Sequence, residues 1–222
     1  VSRPEMPKQL LALTADQTML QLTVARSHGL DNFDKPIIVA GDRHADIIAS
    51  QLLEIGVKEA SFILEPMARN TAPAIALAAL AAQADGRGDA PLLVMPSDHV
   101  IADLGAFHAA IKTALPLVND GWMITFGITP DAPETGYGYI QLGDVIADGV
   151  MKVAQFVEKP DAQRAAAMLA AGGHGWNAGI FLFRADQYLA ALAEFQPDML
   201  NACASAMATA NRSGNQLSPD AA

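Results

Sequence analysis

Residues 91–99 read PLLVMPSDH. An apolar run too short for a helix stops at Pro96 and opens onto a serine, an aspartate and a histidine. Uninterrupted apolar runs of this length mark strands buried on both faces, as in parallel sheets covered by helices. In such sheets ligands gather just beyond the carboxyl ends of the strands. Asp98 therefore stands where a crevice is expected. The same grammar recurs in EPMARNTAPAI (65–75), ETGYGYI (134–140), FVEKP (156–160) and WNAGIFLF (176–183). Each joins apolar residues to polar ones or to glycine. Together they offer a carboxylate for a metal, lysines and arginines for phosphates, and acids and amides for hydroxyls.

Outward from this strand the chain alternates. Residues 17–28 read as a helix stopped by Gly29, and PIIVA (36–40) as a buried strand. Asp42 can cap a helix over 43–55 that ends at Gly56. ASFIL (60–64) is the next strand, followed by a helix over 71–84 with Pro73 in its first turn. After PLLVM come a helix over 103–118, which Pro116 should bend or end, and the strand MITFG (123–127). This alternation predicts a mostly parallel sheet with helices on both faces. Beyond residue 130 the rhythm changes. Strands over 137–142 and 150–157 flank a turn-rich stretch, 143–149. A helix over 161–171 and a strand over 178–184 follow, then alanine-rich helices to about 210. This part reads as a subdomain of antiparallel or mixed pairing, continuous with the first sheet. The polar tail 211–222 reads as loop.

Composition narrows the class. The chain of 222 residues has 17% charged and 51% hydrophobic residues, which suits a largely buried sheet. A net charge of −10 argues against a nucleic-acid partner and against an anionic membrane surface. Phosphate ligands remain compatible, because local basic groups and helix N-termini can dominate a crevice. Cys203 is the single cysteine, so an internal disulfide and a Cys-rich zinc site are excluded. The apolar stretch 72–84 is too short to span a bilayer, and no signal peptide is visible, so the cytoplasm is the default location.

Each polar cluster has a functional reading and a plainer one. Asp98 is a hard carboxylate able to hold Mg²⁺ together with ligand phosphates, or it is a turn or capping aspartate. Arg69, Asn70 and Thr71 precede a helix of small residues. Asn70 or Thr71 can cap it, leaving N–H groups as an anion- or carbonyl-binding pole, or the cap is an ordinary one. Gly136 and Gly138, around Tyr137, allow a ligand close to the backbone, or they mark a turn. Glu158 and Lys159 end a strand. Neighbours on a strand point to opposite faces, so both serve one site only if the strand stops there; otherwise they are a surface ion pair of little value. Trp176 and Phe181 read as core.

The order and wording of these segments, from about residue 2 to 197, resemble the nucleotidyltransferase core of bacterial mannose-1-phosphate guanylyltransferases, including the bifunctional type with phosphomannose isomerase activity. The resemblance implies the Rossmann-like nucleotide-diphospho-sugar transferase α/β fold, as one domain. About 1–130 would bind nucleotide, about 131–210 sugar phosphate, and 211–222 would be tail. It implies nucleotidyl transfer from GTP to mannose 1-phosphate, giving GDP-mannose and pyrophosphate for polysaccharide synthesis, with Mg²⁺. Asp98 of the PSDH motif would be the metal ligand. Arg69, Asn70, Thr71, Ser97 and Asp98 would line the nucleotide. Gly136, Tyr137, Gly138, Glu158, Lys159, Asn177 and Gly179 would hold the sugar phosphate, with Glu158 on hydroxyls and Lys159 on the phosphate. Arg3 and Lys8 would face the nucleotide phosphates and, with Asp98, form the catalytic set. A homodimer is compatible with it.

Two departures bear on this. SRP (2–4) and PKQ (7–9) match the end of the family's GGxGTRLWPLSR…PKQ signature, but its glycine-rich part is absent. That loop normally supplies backbone N–H groups to the triphosphate. The late DYAVME segment with a second metal-binding aspartate is also missing, and Asp198 and Asp220 do not match it. A trimmed portion of a longer enzyme, inactive as these 222 residues alone, is the expectation. The alternatives are a nucleotide-sugar-binding regulatory module and a sister sugar-1-phosphate nucleotidyltransferase.

Overall fold

The structure is a computed structural model and describes residues 6–28, 30, 32–67 and 70–220. Gly29, expected to stop the first helix, lies outside them. The chain divides into two compact units. One takes residues 1–92, 96–107 and 184–222, the other residues 93–95 and 108–183. No helix among the described residues is long and apolar enough to cross a membrane.

In the first unit α1 (Met19–Ala25) opens with a capping box. Thr18 Oγ1 accepts from the Gln21 N–H, and the Gln21 side chain accepts from the Thr18 N–H. Strand β1 (Ile37–Gly41) pairs in parallel with β2 (Ser61–Glu65), Ile38 opposite Phe62. A parallel pair requires a crossover, and α2 (Ala45–Glu54) supplies it. Asp42 does not cap this helix directly. It heads a 3₁₀ turn over Asp42–His44, and its carboxylate takes the adjacent Arg43 N–H at 2.6 Å. Leu20, Val24, Ile48, Leu52, Phe62 and Leu64 form the buried core against these strands.

Helix α3 spans Thr71–Ala84, the interval its sequence predicts. Ala76 and Ala79 are fully buried in it, and the helix packs against α6 (Ala185–Phe195) and α7 (Pro197–Ala208). The tail corrects the expectation of loop. Strands β8 (Asn211–Ser213) and β9 (Gln216–Ser218) form a hairpin turned at Gly214 (φ +58°), and β9 joins β2 in parallel. Asn215 clamps the join, its Nδ2 donating to the Ala60 carbonyl at 2.8 Å and its carbonyl accepting the Phe62 N–H at 2.9 Å. The sheet order is β1-β2-β9-β8.

The second sheet runs β3-β7-β5-β6, with β4 also on β7. Its strands are β3 (Pro91–Val94), β4 (Ile124–Ile128), β5 (Tyr139–Ala147), β6 (Val150–Val157) and β7 (His174–Arg184). β4 and β5 both run antiparallel to β7, and β5 runs antiparallel to β6. The apolar series read as one run is thus divided: β1 and β2 pair with each other, whereas β3 and β4 pair with β7. Residues 143–147, expected as turn, stay in β5. Gly143 permits this because a Cβ there would lie 3.2 Å from the Lys152 carbonyl. Helix α4 (Leu104–Asn119) carries Pro116 in its last turn and ends three residues later. Helix α5 (Ala162–Ala171) begins at Asp161, whose carboxylate accepts the Arg164 N–H at 2.8 Å.

Candidate functional site

The first cluster forms just past β3. Ser97 and Asp98 make a turn there, partly exposed. Lys8 sits in a 3₁₀ turn over Lys8–Leu10, and its Nζ lies 2.9 Å from Asp98 Oδ2. The other carboxylate oxygen is 3.9 Å from His99 Nε2. Two buried polar residues hold these loops. Gln51 of α2 donates to the Leu10 carbonyl at 3.0 Å, with its own Oε1 taking the Thr18 hydroxyl at 2.9 Å. Arg26, at the end of α1 and 3% exposed, donates to the His99 carbonyl. Burial pushes its guanidinium below the ordinary arginine range, which reflects the cost of holding a charge there. Sequence reading missed both. A lone Gln on an amphipathic helix and an Arg at a helix end carry no signal of a loop far along the chain.

The start of α3 forms a second part of the same unit. Asn70 is its N-cap residue, but its side chain makes no capping bond, and its backbone sits at φ +69°, ψ −177°. That region is costly for any residue but glycine, of order 1–3 kcal/mol. Asn70 and Thr71 are exposed, leaving the first N–H groups of α3 without a side-chain cap. Tyr188 of α6 fixes the helix start, its hydroxyl donating to the Ala72 carbonyl at 2.9 Å. Burial raises that phenol to about 12. Arg3 and Arg69 lie outside the described residues.

In the second unit the sugar-phosphate candidates come together. β6 ends at Val157, and Lys159 adopts φ +39°, so the strand stops where a shared site requires it to. Glu158 and Lys159 then lie on one side, Nζ to Oε1 3.6 Å, both well exposed. Gly138 is a close approach: a Cβ there would lie 3.1 Å from Glu158 Oε2 and 3.7 Å from the Asn177 Cβ. Gly136 is different, since a Cβ there would meet open space. Tyr137 is half-exposed and stands edge-on to Trp176, ring centres 5.1 Å apart. Trp176 packs against the buried Tyr139 and Met168, as its reading as core requires.

Asn177 and Gly179 occupy an irregularity in β7. Two residues of β4, Thr125 and Gly127, face a longer stretch, Phe181 back to Asn177, so β7 bulges between them. Gly179 takes φ +66° in this bulge. The Asn177 N–H donates to the Gly138 carbonyl at 2.8 Å, and its Oδ1 accepts from the Gly179 N–H at 3.1 Å and from the Thr125 hydroxyl at 3.2 Å. Thr125 was hidden in the apolar run MITFG, where its hydroxyl was the only polar side-chain group.

The donor set suits phosphates and hydroxyls. Among the described residues no three His, Cys, Asp or Glu side chains gather as a metal cage. Mg²⁺ needs no cage, since it commonly takes one or two carboxylates and completes its shell with phosphate oxygens and water. Asp98, partly exposed at a strand end, fits that requirement.

Comparisons with known proteins agree with this chemistry. The family model described as Nucleotidyl transferase matches residues 1–221. The chain is 47% identical over 225 residues to the mannose-1-phosphate guanylyltransferase of Escherichia coli strain K12, covering 99% of this chain and 47% of that protein. It is 42% identical to the alginate biosynthesis protein AlgA of Pseudomonas aeruginosa, covering 100% of this chain and 46% of the relative. The chain thus spans under half the length of these curated relatives. A solved structure described as mannose-6-phosphate isomerase from Helicobacter pylori superposes with a TM-score of 0.86 at 32% identity, covering 98% of this chain and 83% of that one. The chain belongs to the nucleotidyl transferase family.

Proposed function

We propose that this chain is the nucleotidyl-transfer core of an enzyme that makes GDP-mannose and pyrophosphate from GTP and mannose 1-phosphate. The observation that carries the reading is the Lys8–Asp98 pair at the open end of β3, 2.9 Å apart, in a chain whose curated relatives include a mannose-1-phosphate guanylyltransferase. A phosphate oxygen of the sugar phosphate attacks the α-phosphorus of the nucleotide in line. The new P–O bond forms as the bond to the β-phosphate bridging oxygen breaks, and pyrophosphate carries that electron pair away. A phosphate monoester is already ionised near neutral pH, so no general base is required.

Catalysis then rests on alignment and charge neutralisation. Lys8 offers an ammonium to the nucleotide phosphates. Asp98 would hold Mg²⁺, which when bound supplies charge neutralisation to the phosphate oxygens. Asn70 and Thr71, with the uncapped N–H groups of α3, offer donors to the nucleotide. Lys159 fixes the attacking sugar phosphate, and Glu158 accepts from hexose hydroxyls. The test is pyrophosphate release by the full-length protein with Mg²⁺, GTP and mannose 1-phosphate. Turnover with this pair supports the reading. Turnover only with glucose 1-phosphate and another nucleoside triphosphate assigns the protein to a sister specificity.

A further inference from the structure

The carboxamide of Asn177 is fixed at its oxygen end. The Gly179 N–H can only donate, so the atom it meets at 3.1 Å is Oδ1 and not the NH₂. Thr125 Oγ1 lies 3.2 Å from the same oxygen; facing an acceptor, the hydroxyl donates. The Ile180 carbonyl, at 3.4 Å, is its other acceptor within reach. Gly179 therefore sets which end of the amide is which, and Thr125 sets where that end sits. The two N–H bonds of Nδ2 find no acceptor among the described residues. The backbone of Asn177 is tied to Gly138, and Glu158 Oε2 sits close against that glycine.

We propose that Thr125 is a positioning residue for sugar-phosphate recognition. Acting through Oδ1, it holds the Asn177 amide so that Asn177 can only donate to the ligand, while the carboxylate of Glu158 can only accept. Such a pair reads a hexose by one oxygen that accepts and one hydroxyl that donates. The inference rests on the reading of Asn177 and Glu158 as sugar-phosphate contacts. β-Branched residues suit a strand, so Thr125→Val keeps the shape and removes only the hydroxyl, whereas Thr125→Ser keeps the hydroxyl.

The experiment is a mutant cycle in the full-length protein, reading the KM values for mannose 1-phosphate and GTP separately. Thr125→Val should raise the mannose 1-phosphate KM about two- to tenfold, the worth of one hydrogen bond, with the GTP KM within about twofold. Thr125→Ser should restore it. In an Asn177→Ala background Thr125→Val should add nothing. An undiminished effect of Thr125→Val in that background, or a Ser variant as poor as Val, overturns the proposal. Asn177→Asp is the second arm. A carboxylate still accepts from Gly179 and Thr125, so the bulge folds, but the donor is gone and the mannose 1-phosphate KM should rise as in Asn177→Ala. A wild-type KM for Asn177→Asp overturns the donor assignment whether or not Thr125→Val folds. A wild-type KM for Asn177→Ala overturns the sugar-phosphate reading of Asn177 and the proposal with it. A raised KM for Asn177→Ala with Thr125→Val silent overturns the proposal alone.

Discussion

The ammonium of Lys8 lies 2.9 Å from Oδ2 of Asp98, joining the start of the chain to the turn after β3. Neither group is buried: their side chains are 47% and 28% exposed. Exposed pairs of this kind add about 0–1 kcal/mol to stability. The fold therefore gains little from the contact, yet Gln51 and Arg26 are spent holding the two loops that make it. A cation and a carboxylate kept together in solvent are well suited to meet a polyphosphate, where the cation takes phosphate oxygens and the carboxylate a metal.

Lys8→Met and Asp98→Asn should separate function from folding. Each is expected to shift the melting temperature by no more than about 2–4 °C, the equivalent of ~1 kcal/mol for a domain of this size. Pyrophosphate release by the full-length protein should fall about a hundredfold to a thousandfold for each. The double variant should be little worse than the worse single, because the two act on the same phosphates. Activity within threefold of wild type for either would leave the pair as a surface contact.

Tyr188→Phe tests the anchor of α3. It deletes the hydroxyl that donates to the Ala72 carbonyl, which keeps its bond within the helix but loses this second donor. A loss of about 0.5–1.5 kcal/mol is expected, or roughly 1–6 °C in melting temperature. The pH dependence has a definite sign. Burial raises the folded phenol to about 12 from an ordinary 10, so the unfolded chain loses this proton first. Wild-type stability should fall as pH rises from about 10 toward 12, and Tyr188→Phe should lack that part of the slope. Equal alkaline slopes in melts at pH 9, 10 and 11 would contradict the assignment.

What could be read in advance, and what could not, follows from range. Thr71–Ala84 was legible because alanine and leucine favour helix, Pro73 fits a first turn, and no neighbour has to override them. PLLVM was legible because an apolar run of that length has few other uses. The hairpin Asn211–Ser218 was not, since strands of three residues with Leu217 as their one apolar side chain are too short to show a period, and their partner β2 lies far back in the sequence. Its one local signal was the Ser213–Gly214–Asn215 turn. The site shows the same split. Glu158, Lys159 and Asn177 stand out as polar residues in the sequence, but where the Asn177 oxygen is held depends on Thr125, a pairing across two strands. Asn-Ala-Gly did hold a hint, because asparagine often accepts from the N–H two residues on.

Glu65 predicts a pH-dependent gain. It closes β2 beside a cavity of about 60 Å³ whose lining includes Met67, Leu77, Cys203 and Ala206, and this burial pushes its carboxyl up from the ordinary range. A raised folded value means that the charged form is penalised in the native state. The penalty is present above the folded pKa and vanishes below the unfolded one, where both states are neutral. Glu65→Gln should therefore raise the melting temperature at pH 7 by about 2 °C or less, the group being only partly buried, and should give no gain near pH 4. An equal gain at both pH values would point to packing instead of charge.

Asn70 sets stability against binding. At φ +69°, ψ −177° its backbone occupies a region that glycine reaches freely and that costs other residues about 1–3 kcal/mol. Its side chain gives nothing back as a cap, because no capping bond is made. Asn70→Gly should therefore raise stability, by up to about 2 kcal/mol after the entropy that glycine loses on folding. Asn70→Ala keeps the strain and should not rise. If the exposed amide meets the nucleotide, both variants should raise the KM for GTP several-fold while leaving that for mannose 1-phosphate within about twofold. The two readouts are independent. Melting curves in which Gly is no more stable than Ala would remove the strain, and an unchanged GTP KM in both would remove the contact. A protein that becomes more stable and binds GTP less well when Asn70 is replaced by glycine would be carrying that strain for the sake of the ligand.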